Sequence, residues 1–169
     1  MLNGHSSQVT SVIFSPKGKL LASSSIDKTT RLWDPATGRA LRMLNGHSDS
    51  IRSVAFSPNG KLLASGSDDE TIRLWDPTTG LALRTLNDHS GRVSSVMFSP
   101  NDMLLASASY DDTVRIWNTE TGDLLRTIQE PDSGDANAVA FSPDGDLPAA
   151  GFDDHTVRVW NVRDLLYRD

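Results

Sequence analysis

The sequence contains no cysteine among its 169 residues, so it offers no disulfide, no thiolate metal site and no cysteine nucleophile. It also has no apolar run of about 18 residues, the length at which a membrane-spanning helix is suspected. The N-terminal segment lacks the basic and apolar regions of a signal peptide. We therefore expect a cytoplasmic protein that has no membrane partner.

Basic side chains are in the minority, because 16 Lys and Arg stand against 22 Asp and Glu, a formal net charge of −6. Proteins that bind nucleic acid need a basic face, so we expect no nucleic-acid partner. The charge changes sign along the chain. Residues 1–44 hold six basic and two acidic side chains (+4), whereas residues 129–169 hold three and nine (−6).

The aromatic residues reveal an internal repeat. Four tryptophans, Trp33, Trp75, Trp117 and Trp160, follow one another at spacings of 42, 42 and 43 residues. Phe-Ser-Pro triplets recur at the same period, and a repeat of this length marks one supersecondary unit that stacks on its neighbours. The chain is therefore a single array of four repeats, over residues 1–44, 45–86, 87–128 and 129–169.

Each repeat predicts four short strands. In the second repeat, β-rich runs at 50–57, 62–67, 71–75 and 81–86 are separated by turns rich in Pro, Gly, Asp and Asn. No segment sustains the 3.6-residue apolar period of a helix. Four antiparallel strands per repeat are typical of a β-propeller blade, so the fold class is all-β. In the last repeat we expect Pro148 to interrupt the second strand and residues 164–168 to form a shortened fourth strand.

Several motifs together resemble the WD40 repeat: Gly-His, Phe-Ser-Pro, Leu-Ala-Ser-x-Ser-x-Asp and Thr-x-Arg-Leu-Trp-Asp. The resemblance covers essentially the whole chain. It implies four blades of a WD40-type propeller and a non-catalytic scaffold that recognises a protein or peptide. The near-identical copies particularly resemble the WD arrays of fungal and bacterial NACHT-type signalling proteins, which implies a sensor role.

Ser, His and Asp stand at fixed places in the first three repeats and suggest a hydrolase triad. If the turn between the second and third strands centres near Asp27-Lys28, however, Ser23 lies opposite Trp33 and bridges His5 to the indole. The resemblance implies that these residues form structural tetrads, so we expect no enzyme. The tetrads comprise His5, Ser23, Asp27 and Trp33; His47, Ser65, Asp69 and Trp75; and His89, Ser107, Asp111 and Trp117.

The fourth repeat departs from this pattern. Residues 130–135 replace its Gly-His, and Ala150 replaces the serine, although Asp154 and Trp160 remain. We expect this blade to be the least stable. Neighbouring carboxylates in the turns, such as Asp68-Asp69-Glu70, match no calcium-loop spacing, so we expect neither a metal nor a cofactor.

Positions that differ among near-identical repeats are candidates for recognition. They precede each tetrad Asp or flank the start of each first strand, and in a WD40-like blade they share one rim. The partner-binding rim is predicted to include Tyr110, Arg52, Arg92, Asp68, Ile26, Gln8, Asp153 and Asn137. Tyr110, Arg52 and Arg92 fit the composition of binding hot spots. The alternative is a sugar- or small-molecule-binding propeller, which would need an aromatic platform in each blade.

Closure of the array is a separate question, because terminal repeats expose apolar faces. Two chains could form an eight-bladed ring, in which the +4 blade of one meets the −6 blade of the other. The other readings are a fragment of a longer array and a compact four-bladed monomer. We predict the homodimer, joined through contacts between blade one and blade four.

Overall fold

The computed structural model describes residues 1–167, with Tyr167 described by its backbone alone. Fifteen strands and one short helix follow one another along these residues. The elements are β1 Val9–Phe14, β2 Leu21–Ser25, β3 Thr29–Trp33, β4 Ala40–Asn45, β5 Ile51–Phe56, β6 Leu63–Ser67, β7 Ile72–Trp75, β8 Ala82–Leu86, β9 Val93–Phe98, β10 Leu104–Ser109, β11 Thr113–Asn118, β12 Leu124–Gln129, β13 Ala136–Phe141, β14 Pro148–Phe152, β15 Val157–Val159 and α1 Val162–Tyr167.

The strands form one antiparallel sheet per repeat, which confirms the all-β blade fold. Blade one is β1–β4, blade two β5–β8 and blade three β9–β12, and in each the strands are hydrogen-bonded in sequence order. The β1, β5, β9 and β13 strands pack successively against one another, so they line the inner side of the array. Successive side chains of these strands point to opposite faces of the sheet, and this alternation places apolar side chains against the neighbouring blade.

Blade four differs from the prediction in its outer part. Its described residues form three strands, β13–β15, and residues 162–167 fold as α1 instead of a fourth strand. Val162, Leu165 and Leu166 pack on the core between blades three and four, which fixes the apolar side of this helix. Pro148 does not interrupt a strand either. It begins β14, where a residue without an N–H is tolerated.

The register of the second hairpin in each blade also corrects an expectation. Ser23 lies opposite Arg31, and Trp33 lies opposite Leu21. The turn centres on Asp27 because Lys28 adopts the left-handed conformation, with φ of 68°, after a Ser25–Lys28 turn. A three-residue loop of this kind ends in a bulge residue. Each residue of β2 therefore pairs with a residue of β3 that lies two positions earlier than expected. The Trp33 indole then reaches Ser23 diagonally across the strand pair.

Three apolar clusters join consecutive blades. Between blades two and three, for example, Ile72 and Leu74 belong to the same cluster of buried residues as Val96 and Phe98. Equivalent clusters lie between blades one and two and between blades three and four. The core is therefore divided among the blade junctions, as expected for stacked repeats that each contact their neighbours.

Candidate functional site

A cavity of about 420 Å³ opens on the face of the array at which the first strand of every blade begins. All four blades contribute to it. Its lining residues are Gln8, Val9, Thr10, Arg52, Asp68, Arg92, Ser94, Tyr110 and Asn137. We call this the rim cavity.

Arg52 and Asp68 form the most constrained pair in the rim cavity. Arg52 Nε donates to Asp68 Oδ1 at 2.9 Å, and Arg52 Nη2 donates to Asp68 Oδ2 at 2.5 Å. The hydrogen bonds to Asp68 raise the pKa of the Arg52 guanidinium, although its partial burial acts in the opposite direction. Two-point contact of this type fixes the guanidinium plane. Arg52 is therefore held in place before any ligand arrives.

Arg92 and Tyr110 present a cationic group and an aromatic ring to the rim cavity. Both are exposed, and no ion pair within 4.0 Å involves Arg92 among residues 1–167. The Tyr110 side chain precedes the tetrad aspartate of blade three and is the only aromatic ring among the lining residues. An unpaired guanidinium beside an exposed ring can bind a carboxylate and an apolar group together.

The blade-four side of the cavity is acidic. Burial raises the pKa of Asp135, and the nearby charges of Asp153 and Asp112 raise it further, while Arg92 opposes them. Asn137 Nδ2 donates to Asp153 Oδ1 at 2.6 Å. Carboxylates thus lie beside the blade-four side of the rim cavity, and the positive charge of Arg92 acts on one of them, Asp135.

Six of the eight predicted rim residues line this cavity, whereas Ile26 and Asp153 do not. Val9, Thr10 and Ser94 complete the lining and were not among the eight. Thr10 and Ser94 stand in their repeats where Arg52 stands in the second repeat. The prediction made for Arg52 could therefore have been extended to them. Their hydroxyls donate to the next blade, to the Ile51 carbonyl at 2.5 Å and the Ala136 carbonyl at 2.7 Å, and so tie adjacent blades together.

The Trp, Ser, His and Asp side chains of the first three repeats form one hydrogen-bonded chain per blade. In blade two, Trp75 Nε1 donates to Ser65 Oγ at 2.9 Å, and His47 Nε2 lies 2.8 Å from the same oxygen. His47 Nδ1 lies 2.9 Å from Asp69 Oδ2. Because a carboxylate only accepts, Nδ1 carries the proton and Nε2 accepts from the serine hydroxyl. Blades one and three repeat this geometry within 0.1 Å at each contact.

The aspartate of each chain accepts further bonds that hold it ionised. Burial raises the pKa of Asp69, but hydrogen bonds from His47, from the Thr71 hydroxyl and from the Ser48 backbone N–H outweigh it. The net result is a pKa well below the ordinary value of 3.8. The equivalent pKa values of Asp27 and Asp111 move in the same direction, with burial again opposing the hydrogen bonds.

These serines are poorly placed to act as nucleophiles. Ser65 and Ser107 are fully buried, and each accepts a bond from the tryptophan indole. A catalytic serine instead stands exposed on a strained turn beside donors for an oxyanion. The geometry favours a structural tetrad over a hydrolase triad.

Blade four replaces the tetrad by an ionic network that the sequence did not suggest. Trp160 Nε1 donates to Glu130 Oε1 at 3.1 Å, in place of a serine hydroxyl. Glu130 also pairs with Arg158 at 3.3 Å, and Arg158 pairs with Asp154 at 2.8 Å. Glu130 precedes the lengthened loop, so its position 30 residues before Trp160 was the one available signal.

Two further kinds of site are absent from residues 1–167. No group of three or more His, Asp or Glu side chains there is placed to hold a metal ion. No helix in that part of the chain has the length and hydropathy to cross a membrane.

Comparison with known proteins places this geometry in context. A family model described as the first β-propeller of IFT122 matches residues 30–166, and the model of the WD domain, G-beta repeat, matches residues 1–34. WD40 propellers are typically scaffolds for protein interactions.

Individual relatives match over short segments. Protein Mut11 of Chlamydomonas reinhardtii is 60% identical over 37 residues, which are 22% of this chain and 10% of that protein. The ribosome biogenesis protein BOP1 homolog of Drosophila virilis is 51% identical over 39 residues, 23% of this chain and 5% of its own length. The matched segments thus span a tenth or less of these curated relatives.

Proposed function

Because this chain belongs to the WD40 β-propeller family, we propose that it is a non-catalytic recognition scaffold whose rim cavity binds a peptide segment of a protein partner. The observation that carries the proposal is the unpaired Arg92 beside the exposed Tyr110, within a cavity to which all four blades contribute. Such a pair suits a peptide that presents an acidic side chain next to an apolar one.

Selection from a random peptide display library tests this directly. We expect enriched peptides to carry an acidic residue and to bind the parent protein with a measurable Kd. Arg92→Ala and Tyr110→Ala should each weaken that binding by about tenfold or more, since anchor residues cost at least 1.4 kcal/mol when truncated.

Two exposed residues on the outer side of blades one and two serve as controls. Arg39→Ala removes an exposed arginine and Leu81→Ala an exposed apolar side chain, in the turns just before β4 and β8 at the opposite end of the blades from the rim cavity, and binding should not change. Peptides that bind both rim variants as well as the parent would refute the proposal.

Several finer assignments stay predictions beside this one. They are a cytoplasmic location, the absence of nucleic-acid partners, a sensor role within a NACHT-type protein, and a homodimer through blades one and four. The sugar-binding alternative gains little support from a cavity lined by one aromatic ring. A glycan array would test that alternative directly.

A further inference from the structure

Each junction between consecutive blades uses the same two surfaces. One blade contributes its back face, which includes residues of its second strand, such as Ala64, and alternate residues of its third strand, such as Ile72 and Leu74 in blade two. The next blade contributes its front face, made of alternate residues of its first strand, such as Val96 and Phe98 in blade three. Any two blades with these faces can therefore pack in this order.

No described residue of the chain covers the front face of blade one. Val12 is 62% exposed, whereas its repeat equivalents Val54, Val96 and Val139 are 3–6% exposed. Phe14 is 59% exposed, against 7% for Phe56. The difference arises because no described blade precedes blade one.

The back face of blade four is uncovered in the same way. Val157 and Val159 are 73% and 57% exposed, whereas Ile72 and Leu74 in blade two are at most 1% exposed. The α1 helix does not shield them, since its apolar side packs towards blade three. The described residues therefore leave two complementary apolar faces uncovered.

We infer that a second copy of this chain covers both faces, so that two chains close an eight-bladed ring around a two-fold axis. The front face of each copy's blade one would pack on the back face of the other copy's blade four, at two equivalent seams. This inference deepens the predicted homodimer and is independent of peptide binding in the rim cavity.

The first-hairpin turns of the blades identify which charges would meet at the seam. At the junction of blades one and two, a β-carbon built on Gly60 would lie 3.7 Å from Pro16 Cδ. At the junction of blades three and four, the same contact joins Gly145 to Pro100 at 3.3 Å. The proline turn of one blade thus rests on the glycine turn of the next.

The equivalent glycine of blade one, Gly18, meets nothing within 4 Å. By the same rule it would receive the Pro143 turn of the second copy. Lys17 and Lys19 flank Gly18, whereas Asp144 and Asp146 follow Pro143, and all four charged side chains are exposed. Opposite charges would therefore meet at each seam, which favours this pairing and its orientation.

Blade one also carries part of a junction already. Leu44 of blade one lies 3.3 Å from the β-carbon position of Gly80, which stands just before the outer strand of blade two. Leu86 of blade two lies at the same distance from the equivalent Gly122, just before the outer strand of blade three. Leu2 makes the same 3.3 Å contact at Gly38, in blade one itself. Near its outer strand, the front face of blade one therefore already has the leucine–glycine contact that the front faces of blades two and three have.

Sedimentation velocity and light scattering on the 169-residue protein test the inference. We expect a mass of about twice 18.4 kDa. The Lys17→Asp/Lys19→Asp double variant should raise the dimer dissociation constant at least about tenfold, because like charges would face each other. Asp144→Lys/Asp146→Lys should do the same, and the combination of all four substitutions should restore the parent mass.

Two controls separate the seam from general effects. Lys61→Asp/Arg84→Asp makes the same change in net charge at exposed positions of blade two, away from the seam, and should leave the dimer intact. Val12→Asp should dissociate the dimer without loss of the β-sheet circular dichroism, because Val12 is already exposed in the single chain.

A monomer of 18.4 kDa at all concentrations would overturn the inference, as would open assemblies larger than a dimer. A dimer that survives both double variants and Val12→Asp would overturn this seam. Peptide binding at the rim cavity can succeed or fail in the same samples without affecting these outcomes.

Discussion

Blades two and four provide an acceptor for the indole N–H of the repeat tryptophan in different ways. In blade two the acceptor is Ser65, which is fully buried and is itself held by His47. In blade four the acceptor is Glu130, whose side chain is 34% exposed. The blade-two network is buried around a serine hydroxyl, and the blade-four network consists of ion pairs that are partly exposed.

The difference shows where stability should be concentrated along the array. A hydrogen bond among buried groups is costly to lose, because the abandoned partner keeps its desolvation penalty. An ion pair open to water contributes little, since solvent and salt screen it. We therefore expect blade two to resist local unfolding more strongly than blade four.

The largest effect is expected from His47→Ala. The change leaves the Ser65 hydroxyl hydrogen without its acceptor and takes one hydrogen bond from the Asp69 carboxylate, so the free energy of unfolding should fall by about 1–3 kcal/mol. Urea denaturation followed by tryptophan fluorescence measures it. His155→Asn in blade four is the matched control and should stay within about 0.5 kcal/mol, since His155 is exposed in a turn. An unchanged midpoint for His47→Ala would remove the structural role of the tetrad.

An intermediate effect, with a pH dependence, is expected from Asp69→Asn. The folded-state pKa of Asp69 lies below its ordinary value of 3.8, since its hydrogen bonds outweigh burial. A lowered pKa stabilises the folded state above the unfolded pKa, and that stability is lost as the pH falls below it. Near pH 7, the free energy of unfolding of the parent should exceed that of the variant by about 1–2 kcal/mol.

The gap between parent and variant should narrow as the pH falls from about 4 towards 2, when denaturation is repeated across that range. Asp123→Asn, at an exposed turn position outside the tetrads, controls for the loss of one negative charge. A gap that is equally large at both ends of the range would argue against an ionised Asp69 as its source.

The smallest effect is expected from Glu130→Gln in blade four. Glutamine keeps an oxygen that can accept from the Trp160 indole but loses the ion pair with Arg158. The free energy of unfolding should change by about 0.5 kcal/mol or less. Hydrogen exchange of the β13–β15 amides reports it locally. A loss as large as that of His47→Ala would show that blade four depends on its ionic network as strongly as blade two on its tetrad.

The repeated parts of the molecule could be predicted from the sequence because each copy supports the same interpretation. Trp spacing and turn residues predicted the blades, and the chemistry of indole and imidazole groups indicated the Trp75–Ser65–His47 contacts before their distances were known. Comparison of the repeats with one another selected Tyr110 and Arg92 as variable positions, and the WD40 resemblance implied that they share one rim; both line the rim cavity.

The departures from the repeat could not be predicted in the same way. The α1 helix replaces an expected strand because Val162, Leu165 and Leu166 find an apolar surface beside blade three, and a run of six residues does not by itself decide between helix and strand. Glu130 reaches Trp160 across 30 residues through a loop that has no counterpart in the other blades. The hairpin register depended on the left-handed conformation of Lys28, which its residue type does not disclose.

The sequence by itself determined the period, the number of blades and the residue types that join the strands within each blade, because these depend on local alternation and on turn chemistry that recurs four times. The tertiary structure decided which faces are left exposed. Burial of Val54 and exposure of Val12 arise from identical side chains in equivalent strands, and only the presence or absence of a neighbouring blade distinguishes them.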